Sequence, residues 1–480
     1  MLVGRIEQKN ILTDALASKR SELVVVYGRR RVGKTFLVKQ VLGEYLDFEM
    51  TGIQEGNLKD QLENFGDKLS EFGYGEEIAR PTSWKSAFTL LKQYLLSKKS
   101  KKKKVLFLDE LPWIATRRSK FLGMLGHFWN DWAAYNNVLL VVCGSAASWM
   151  INKVLNNKGS LHNRITQYIP LQPFTLSETA QFLQAKKIKA TPYQVIQLYM
   201  ALGGIPYYLE MLRPGQSIPQ NIDRLCFEEL GFLRGEFDRI YTSLFDKAEN
   251  HILVVKALAS KWKGLSRNEI AKLSGLQNGG GLTRILGELE KSAFIKTWLP
   301  FGNKKKGTLY RLTDNFSLFY LKLMTKRNLS NQRGIFLKLF TKPEYQFWSG
   351  YAFENICLIH QRQIAKALGI EYIIHEFSSF LFLGNEDYGG IQIDLLIDRA
   401  DGIINLCEMK FSNTDYRLTA AYKRKLQERT ETFAAITNSR KSVLTALVTT
   451  YGLKRTEEHL DVIQNVIKMD DLFSYSSNKR

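Results

Sequence analysis

The stretch LVVVYGRRRVGKTFLV, residues 23–38, places a run of apolar residues before a glycine-bounded loop and a helix-forming segment after it. The loop from Gly28 to Thr35 fits the pattern G-x-x-x-x-G-K-[ST], and it lies between a predicted strand and a predicted helix. In that context the backbone N–H groups of the loop surround phosphate oxygens, and the N-terminus of the helix adds partial positive charge. The stretch therefore predicts a phosphate-binding loop at the end of a parallel β-sheet.

Each residue of this loop is a candidate contact for the phosphates of ATP. The side chain of Lys34 is expected to reach the β- and γ-phosphates and to assist catalysis, and the hydroxyl of Thr35 is expected to bind Mg²⁺. The candidate nucleotide-binding residues are Gly28, Arg29, Arg30, Arg31, Val32, Gly33, Lys34 and Thr35.

A second apolar run, VLFLDE at residues 105–110, ends in two acidic residues. Asp109 is the candidate partner of Mg²⁺, and Glu110 is the candidate catalytic residue that orients or deprotonates the attacking water. A third run, VLLVVCGS, ends at Ser145, which either senses the γ-phosphate or caps the following helix. These residues predict a Mg²⁺-dependent ATPase site. The alternative for the two acids is that they only cap a strand.

The order of apolar runs and amphipathic segments divides the chain into a succession of predicted domains. Continuous apolar strands that alternate with helices predict, for the first part, an α/β fold with a parallel sheet covered on both faces. Farther along, helical patterns dominate, then short helices precede a hairpin, and a long helix precedes a second group of strands. The predicted division is a P-loop ATPase core at 1–174, a helical lid at 175–245, a winged-helix domain at 246–325, a linker at 326–344 and a second α/β domain at 345–480.

The hairpin of the third predicted domain, FIKTWLPFGNKKKGTLYRLTD, carries Lys304, Lys305 and Lys306 at its tip. With the helices before it, this hairpin has the layout of a winged helix, in which the third helix and the wing meet DNA. The three lysines are therefore candidate contacts to DNA phosphates. The alternative is a regulatory element whose third helix mainly packs its own core, because its apolar residues recur at helical spacing.

Near the end of the chain, two apolar runs contain a second group of acidic and basic residues. Asp394 lies in IQIDLLI, whereas Glu408 and Lys410 lie in IINLCEMKF and would point to the same side of a strand. The DRADG segment between the runs suits a hairpin, and antiparallel pairing would place Asp394 beside Glu408. Two carboxylates there can bind Mg²⁺, or Mn²⁺ in its place, while Lys410 activates water or stabilises charge on a phosphate. The alternative is that these are ordinary polar residues in a sheet.

The composition describes a well-cored globular protein with a large positive charge. The 480 residues are 45% hydrophobic and carry a formal net charge of +21, which favours nucleic acid, and DNA in particular, as a partner. The alternative is a basic protein with no such partner. The four cysteines show no CxxC pair, so neither a zinc site nor a disulfide framework is expected. Without a leader pattern or a run long enough to span a bilayer, we expect a cytoplasmic location and no membrane partner.

Several short motifs resemble, in order, those of the archaeal-type P-loop ATPases in the signal-transduction (STAND) branch of the AAA-like superfamily. They are Val3-Gly4-Arg5, GRRRVGKT, LFLDELPW, CGS, LHNRITQYIPLQPF and LGGIPYYLE, and the resemblance covers about residues 1–320. It implies that Pro206, in a Gly-x-Pro element, contacts the nucleotide. It also implies that Arg164 is a phosphate-sensing or finger residue, with a structural salt bridge as the alternative, and that a winged helix follows.

The C-terminal part, about residues 345–470, is similar to the PD-(D/E)xK nuclease fold, an α/β restriction-endonuclease-like domain. The resemblance implies that Glu354, in GYAFENICL, joins Asp394 and Glu408 as a metal ligand and that these acids and Lys410 serve catalysis. The proline that usually precedes the aspartate is Ile393 here, a departure that the fold tolerates. Such a domain can also persist as a binding platform that does not cut.

These observations favour an ATP-binding and hydrolysing ATPase that controls a metal-dependent, DNA-directed nuclease-type domain. Two other functions stay open: an ATP-switched DNA-binding regulator with an inert C-terminal domain, and a scaffold or chaperone-like ATPase with a protein partner. An ATP-driven homo-oligomer is compatible with each of them. Salt-sensitive DNA binding would support the first two functions against the third, and metal-dependent cutting would separate the first from the second.

Overall fold

A computed structural model of the chain divides into two compact units, Met1–Pro173 and Phe174–Arg480. Within the residues described, no helix is both long and apolar enough to cross a membrane. All four cysteines are buried as free thiols. The structure describes residues 2–73, 80–98, 102–116, 118–245, 247–302, 307–325, 334–454 and 461–474.

The first unit is built on a parallel sheet of five strands in the order β2-β3-β4-β1-β5. All seven residues of the central strand β4 are buried, as a parallel sheet covered on both faces requires. The α/β architecture with a parallel P-loop-type sheet, predicted from the alternation of apolar runs and helices, is therefore confirmed. The strands are β1 Glu22–Tyr27, β2 Leu46–Thr51, β3 Lys104–Asp109, β4 Val138–Gly144 and β5 Gln167–Pro170.

Helices cover this sheet and bury an aromatic cluster against it. Trp84 packs edge-on against Phe121 with ring centroids 4.6 Å apart, and Phe88 stacks on Phe128 at 5.1 Å. Two of the covering helices begin at polar caps, because Asn57 and Ser83 each accept backbone N–H groups in a capping box. The helices are α1 Ile6–Ala17, α2 Lys34–Leu42, α3 Leu58–Glu71, α4 Trp84–Ser97, α5 Leu111–Ile114, α6 Phe121–Asp131 and α7 Ala147–Trp149.

The second unit begins with a helical region. Thr175, Thr191 and Ser217 cap three of its helices with reciprocal side-chain and backbone hydrogen bonds. The helices are α8 Leu176–Ala185, α9 Pro192–Leu202, α10 Pro206–Glu210, α11 Ile218–Cys226 and α12 Glu236–Leu244.

Three further helices and a small antiparallel sheet follow, with the strands of the sheet in the order β6-β8-β7 and β6 placed after the first of these helices. Lys304, Lys305 and Lys306 lie between β7 and β8 but outside the described residues, so their contact with DNA stays a prediction. The elements are α13 Ala248–Ser260, β6 Leu265–Ser266, α14 Arg267–Ser274, α15 Gly280–Lys291, β7 Ile295–Trp298 and β8 Leu309–Leu312, followed by α16 Asn315–Phe319.

The range predicted as a linker, 326–344, contains a packed helix in its described part. This helix, α17 at Ile335–Leu339, is held because the buried carboxylate of Asp223 accepts the N–H groups of Gly334 and Phe336 at 2.8 Å and 2.7 Å. Phe336 also stacks on Phe227 with centroids 5.7 Å apart. An apolar face and a carboxylate from a distant helix thus order a segment whose local sequence suggests only a connector.

The rest of the second unit is a mixed sheet of five strands in the order β13-β12-β11-β10-β9. The hairpin pairs Leu395 with Cys407, and continuing this antiparallel register by one residue sets Asp394 opposite Glu408, as the sequence predicts. Strands β11, β12 and β13 run parallel. The elements are α18 Pro343–Ile359, α19 Gln361–Ala367, β9 Ile374–Phe382, β10 Ile391–Arg399, β11 Ile403–Lys410, α20 Ala420–Thr437, β12 Ser442–Thr449 and β13 Asn465–Lys468.

A buried histidine joins two helices of this unit. The Nε2 atom of His360 accepts the N–H of Leu176 at 3.1 Å, and its Nδ1–H donates to the carbonyl of Ile356 at 2.9 Å. Burial lowers the pKa of His360 to about 4 from an ordinary 6.5. The neutral ring therefore serves as a hydrogen-bond acceptor at the start of α8.

We predict that acidification destabilises the second unit through His360. Between pH 6.5 and about 4 the unfolded chain binds a proton that the folded ring does not, so the free energy of unfolding falls by about 1.4 kcal/mol per pH unit from this group. Thermal unfolding followed by calorimetry across this range measures the slope. In His360→Gln, which keeps an acceptor but cannot titrate, the slope should be smaller; an unchanged slope would contradict the prediction.

Candidate functional site

The phosphate-binding loop connects β1 to α2 and is shaped by two glycines with positive φ angles. Gly28 has φ +154°, and a Cβ at this position would overlap the carbonyl oxygen of Leu171. Gly33 has φ +88° and stands at the N-terminus of α2, where no side chain caps the helix. The loop geometry thus needs glycine at both positions, and it presents backbone rather than side chains to a ligand.

The amino group of Lys34 is buried at the centre of this loop. It donates hydrogen bonds to the carbonyl of Arg29 at 3.0 Å and to Oγ of Ser145 at 2.9 Å. The side chain is thereby held in place across the loop, with neutral acceptors that phosphate oxygens can replace. A buried ammonium held this way is prepared to bind an anion.

Thr35 and Asp109 lie together at the start of α2 and the end of β3. The Thr35 hydroxyl donates to Oδ2 of Asp109 at 2.6 Å, and the N–H of Glu110 donates to its Oδ1 at 2.9 Å. Hydroxyl and carboxylate oxygens are the ligands that Mg²⁺ prefers, and these two fit an ion that also binds phosphate. When bound with a nucleotide, Mg²⁺ would neutralise charge on the phosphate oxygens.

Glu110 and Ser145 form the third part of the site. The N–H of Ser145 donates to one carboxylate oxygen of Glu110 at 3.0 Å, and the Ser145 hydroxyl donates to the other. Ala146, not Ser145, occupies the cap position of α7. Of the two roles predicted for Ser145, helix capping is therefore not what its side chain does; it links Lys34 to Glu110.

Arg5 and Arg30 also shape the loop, through contacts that the sequence interpretation did not assign. The buried Arg5 donates to the carbonyls of Val32 at 3.3 Å and Gln172 at 2.7 Å, and so fixes the loop against the chain that follows β5. The guanidinium of Arg30 lies 5.2 Å from the centroid of the Trp113 ring, a cation–π contact. Both residues lie within motifs that the sequence analysis recognised, but their contact partners are distant in the sequence, so these contacts could not be predicted from it.

The two remaining candidates of the ATPase half have less defined surroundings. Arg164 is exposed and forms no ion pair with any residue that the structure describes, so the structural salt-bridge alternative finds no support. Pro206 begins α10 in the second unit, after Gly204, where a Cβ would overlap the carbonyl of Phe174. Contact of either residue with a nucleotide stays a prediction.

In the second unit, the acidic residues Glu354 and Asp394 lie around one arginine. Arg311 donates from Nη1 to Oδ1 of Asp394 at 3.3 Å, and its Nη2 lies 3.8 Å from Oε2 of Glu354. Gln392 donates to the same Asp394 oxygen at 3.0 Å. Burial and the neighbouring Asp394 raise the pKa of Glu354 to about 8, although Arg311 opposes the shift. The two neighbouring carboxylates therefore resist being ionised together.

Glu408 is surrounded by cations. Lys410 Nζ lies 2.7 Å from Oε1, Arg429 Nη1 lies 2.6 Å from Oε2, and the Tyr422 hydroxyl donates to Oε1. Burial alone would raise the pKa of Glu408, but Arg429 and Lys410 outweigh it and lower the pKa to about 2. Lys410 also lies over the Tyr422 ring at 4.7 Å. Both oxygens of Glu408 are thus engaged.

These contacts bear on the predicted metal site with three carboxylates, which stays a prediction. Across the described part of the chain, no group of three or more His, Cys, Asp and Glu residues is placed to hold a metal ion. The oxygens of Glu408 are taken by Lys410, Arg429 and Tyr422 instead. Mg²⁺ often binds proteins through only one or two carboxylates with water and phosphate, so Glu354 and Asp394 still fit such an ion.

Sequence reasoning did not select Tyr422, Arg429 or Arg311. Tyr422 and Arg429 are separated by seven residues on α20, a spacing that places both on one helix face and was a usable signal. Arg311 reaches the acidic pair from β8, and no local pattern marks it. Only the fold brings it to Asp394.

Comparisons with known proteins bear mainly on the first part of the chain. Residues 3–212 match a family model described as an ATPase domain predominantly from Archaea. An uncharacterised protein of Methanocaldococcus jannaschii is 25% identical over 401 residues, which cover 82% of this chain and 84% of that protein. A solved Walker-type ATPase of Pyrococcus abyssi is 17% identical, with a TM-score of 0.50, over 67% of this chain and 96% of its own.

The family match and the shared fold establish an archaeal-type ATPase domain with a P-loop in the first part of the chain. The match ends at residue 212 and does not reach the small antiparallel sheet or the mixed sheet. The winged-helix and nuclease-type interpretations of those regions therefore depend on their own residues.

We predict that Gly28→Ala destabilises the first unit by about 2 kcal/mol or more, because the added methyl group overlaps the Leu171 carbonyl in a strained backbone conformation. It should also weaken binding of a fluorescent ATP analogue. Calorimetry and fluorescence titration measure the two effects. Gly43→Ala is the matched control, since a Cβ there meets no atom within 4 Å. Equal behaviour of the two variants would contradict the prediction.

Proposed function

We propose that this chain is a Mg²⁺-dependent ATPase that controls a metal-dependent, DNA-directed nuclease-type domain. The observation that carries the ATPase part is the hydrogen-bonded group formed by Lys34, Ser145 and Glu110 beside the Thr35–Asp109 pair. In this proposal Lys34 binds the β- and γ-phosphates, and Thr35 and Asp109 hold Mg²⁺.

The same contacts supply a way for the site to respond to the γ-phosphate. Lys34 donates to Ser145, and Ser145 donates to Glu110. A phosphate oxygen that takes over the Lys34 amino group leaves the Ser145 hydroxyl free to turn toward the phosphate. The Glu110 carboxylate then loses a hydrogen-bond donor and becomes a better acceptor for the proton of the attacking water.

The arrangement of the last part of the chain supports the nuclease-type proposal. Helix α18 carries Glu354, the β10–β11 hairpin sets Asp394 opposite Glu408, and Lys410 follows two residues later on β11. Helix α20 then leads to the parallel strand β12. A helix before the strands thus carries one acidic residue and the hairpin carries two more, as the PD-(D/E)xK resemblance implies.

DNA is the proposed polyanionic partner. The net charge of +21 supplies attraction for phosphates, and Arg417, Arg424 and Lys425 are exposed at or near the start of α20, the helix that carries Tyr422. The three helices and the small antiparallel sheet before this domain have the layout of a winged helix, which we propose as a second DNA contact. An ATP-driven homo-oligomer and a protein partner remain part of the proposal.

One observation favours a second candidate, an ATP-switched DNA-binding regulator whose C-terminal domain does not cut. Lys410, Arg429 and Tyr422 satisfy both oxygens of Glu408 within the protein. A carboxylate with this many partners is a poorer metal ligand, whereas the cations beside it suit a phosphate backbone.

We predict that Glu110→Gln reduces the kcat of ATP hydrolysis by about 100-fold or more while ATP still binds, because only the acceptor for the water proton is lost. Lys34→Ala should instead weaken ATP binding itself. Steady-state hydrolysis and nucleotide titration measure the two effects. Glu44→Gln, an exposed acid of the same unit, is the control and should hydrolyse ATP normally. Full activity of Glu110→Gln would refute the assignment.

The nuclease-type function is tested with supercoiled and linear DNA in Mg²⁺ or Mn²⁺, with and without ATP. We expect cutting that disappears in Asp394→Ala and changes in Lys34→Ala. Cutting that persists in Asp394→Ala would point to a contaminating enzyme. No cutting, together with normal ATP hydrolysis and salt-sensitive DNA binding, would favour the regulator.

A further inference from the structure

Arg311 is a buried cation that contacts the acidic pair, Glu354 and Asp394, from outside the mixed sheet. It lies on β8 of the small antiparallel sheet, and its side chain is only 8% exposed. In the described residues its ion-pair partners are two, Asp394 at 3.3 Å and Glu354 at 3.8 Å. The guanidinium therefore occupies the space between the two carboxylates that a divalent cation would share.

The surroundings of Arg311 on its own sheet are electrostatically unfavourable. The register pairs Arg311 directly with Lys296 on β7, and like charges opposite each other destabilise an antiparallel pair. Burial and, after it, the nearby Arg362 lower the pKa of Lys296. Asp394 and Glu354 offset this repulsion, so the position of Arg311 depends on them.

Two sets of hydrogen bonds fasten the small sheet beside the acidic pair. The N–H of Phe301, just beyond β7, donates to the carbonyl of Ser379 on β9 at 2.7 Å. Asn355, the neighbour of Glu354, donates to the carbonyl of Thr313 at 3.0 Å and to the side chain of Asn315 at 2.7 Å. Withdrawal of β8 from α18 would have to break hydrogen bonds of this kind, and it would carry Arg311 away from Glu354.

We propose that Arg311 is an internal counter-cation that competes with a divalent metal ion for Glu354 and Asp394. While Arg311 is in place the pair is neutralised from within, and metal binds only when β8 withdraws the guanidinium. The contacts of 3.3 Å and 3.8 Å are long for charged groups, whereas Mg²⁺ binds carboxylate oxygens at about 2.1 Å. A metal ion and the guanidinium would repel each other, so the two states exclude one another. This inference rests on the proposed nuclease-type function and names its regulation.

The test measures Mn²⁺ binding to the full chain without nucleotide by isothermal titration calorimetry. Arg311→Gln should bind Mn²⁺ about tenfold tighter or more, since an opposite charge within 4–6 Å of a carboxylate typically changes its proton affinity by that factor. The gain should vanish in the double variant Arg311→Gln/Asp394→Asn. Arg399→Gln is the matched control, because Arg399 is a largely buried arginine on the strand that carries Asp394, and it pairs with Asp401 instead.

Wild-type protein provides a test that does not depend on the folding of a variant. Mn²⁺ should displace Arg311 and speed hydrogen–deuterium exchange of the β8 amides, and Asp394→Asn should abolish this effect. If Arg311→Gln binds Mn²⁺ with unchanged affinity and this binding still needs Asp394, the proposed competition is overturned but the proposed metal site is supported. Absence of Mn²⁺ binding and of any exchange effect in every protein would overturn both the competition and the proposed metal site.

Discussion

The burial of the Lys34 ammonium is the constraint on which the ATPase site depends. A buried cation must be surrounded by acceptors, and Lys34 has two, the Arg29 carbonyl within the loop and the Ser145 hydroxyl at the end of β4. Ser145 in turn binds Glu110 at the end of β3. Because parallel strands present their carboxyl ends at one edge, three segments distant in sequence meet around a single charge.

The C-terminal cluster meets the same requirement in a different way. There the buried carboxylates are balanced by side chains: Glu408 by Lys410 and Arg429, and Asp394 by Arg311. Lys34 is held by a backbone carbonyl and a hydroxyl, which are neutral and leave its charge available for a phosphate. Glu408 is held by charged side chains, which lower its pKa to about 2. The first site thus keeps its charge available to a ligand, whereas the second pairs its carboxylates with cations of the protein.

Part of this cluster follows from short-range patterns, and part does not. The turn between two apolar runs predicts the hairpin, and the hairpin sets Asp394 opposite Glu408. The occupancy of the Glu408 oxygens and the insertion of Arg311 were not predicted, since both depend on α20 and β8 packing beside the sheet. Helix α17, in the range predicted as a linker, was not predicted for the same reason. Its N-terminus is held by Asp223, which lies on a helix distant in sequence.

The sequence by itself determined the P-loop, the parallel sheet and the identity of the residues at the strand ends, because strand period, glycine geometry and motif spacing are local properties. Gly28 and Gly33 take the conformations that their motif requires. Tertiary structure alone decided which charges became partners. Arg311 and Asp394 are 83 residues apart and form an ion pair only in the folded chain. Packing excludes water there, and a buried charge then needs an opposite charge beside it.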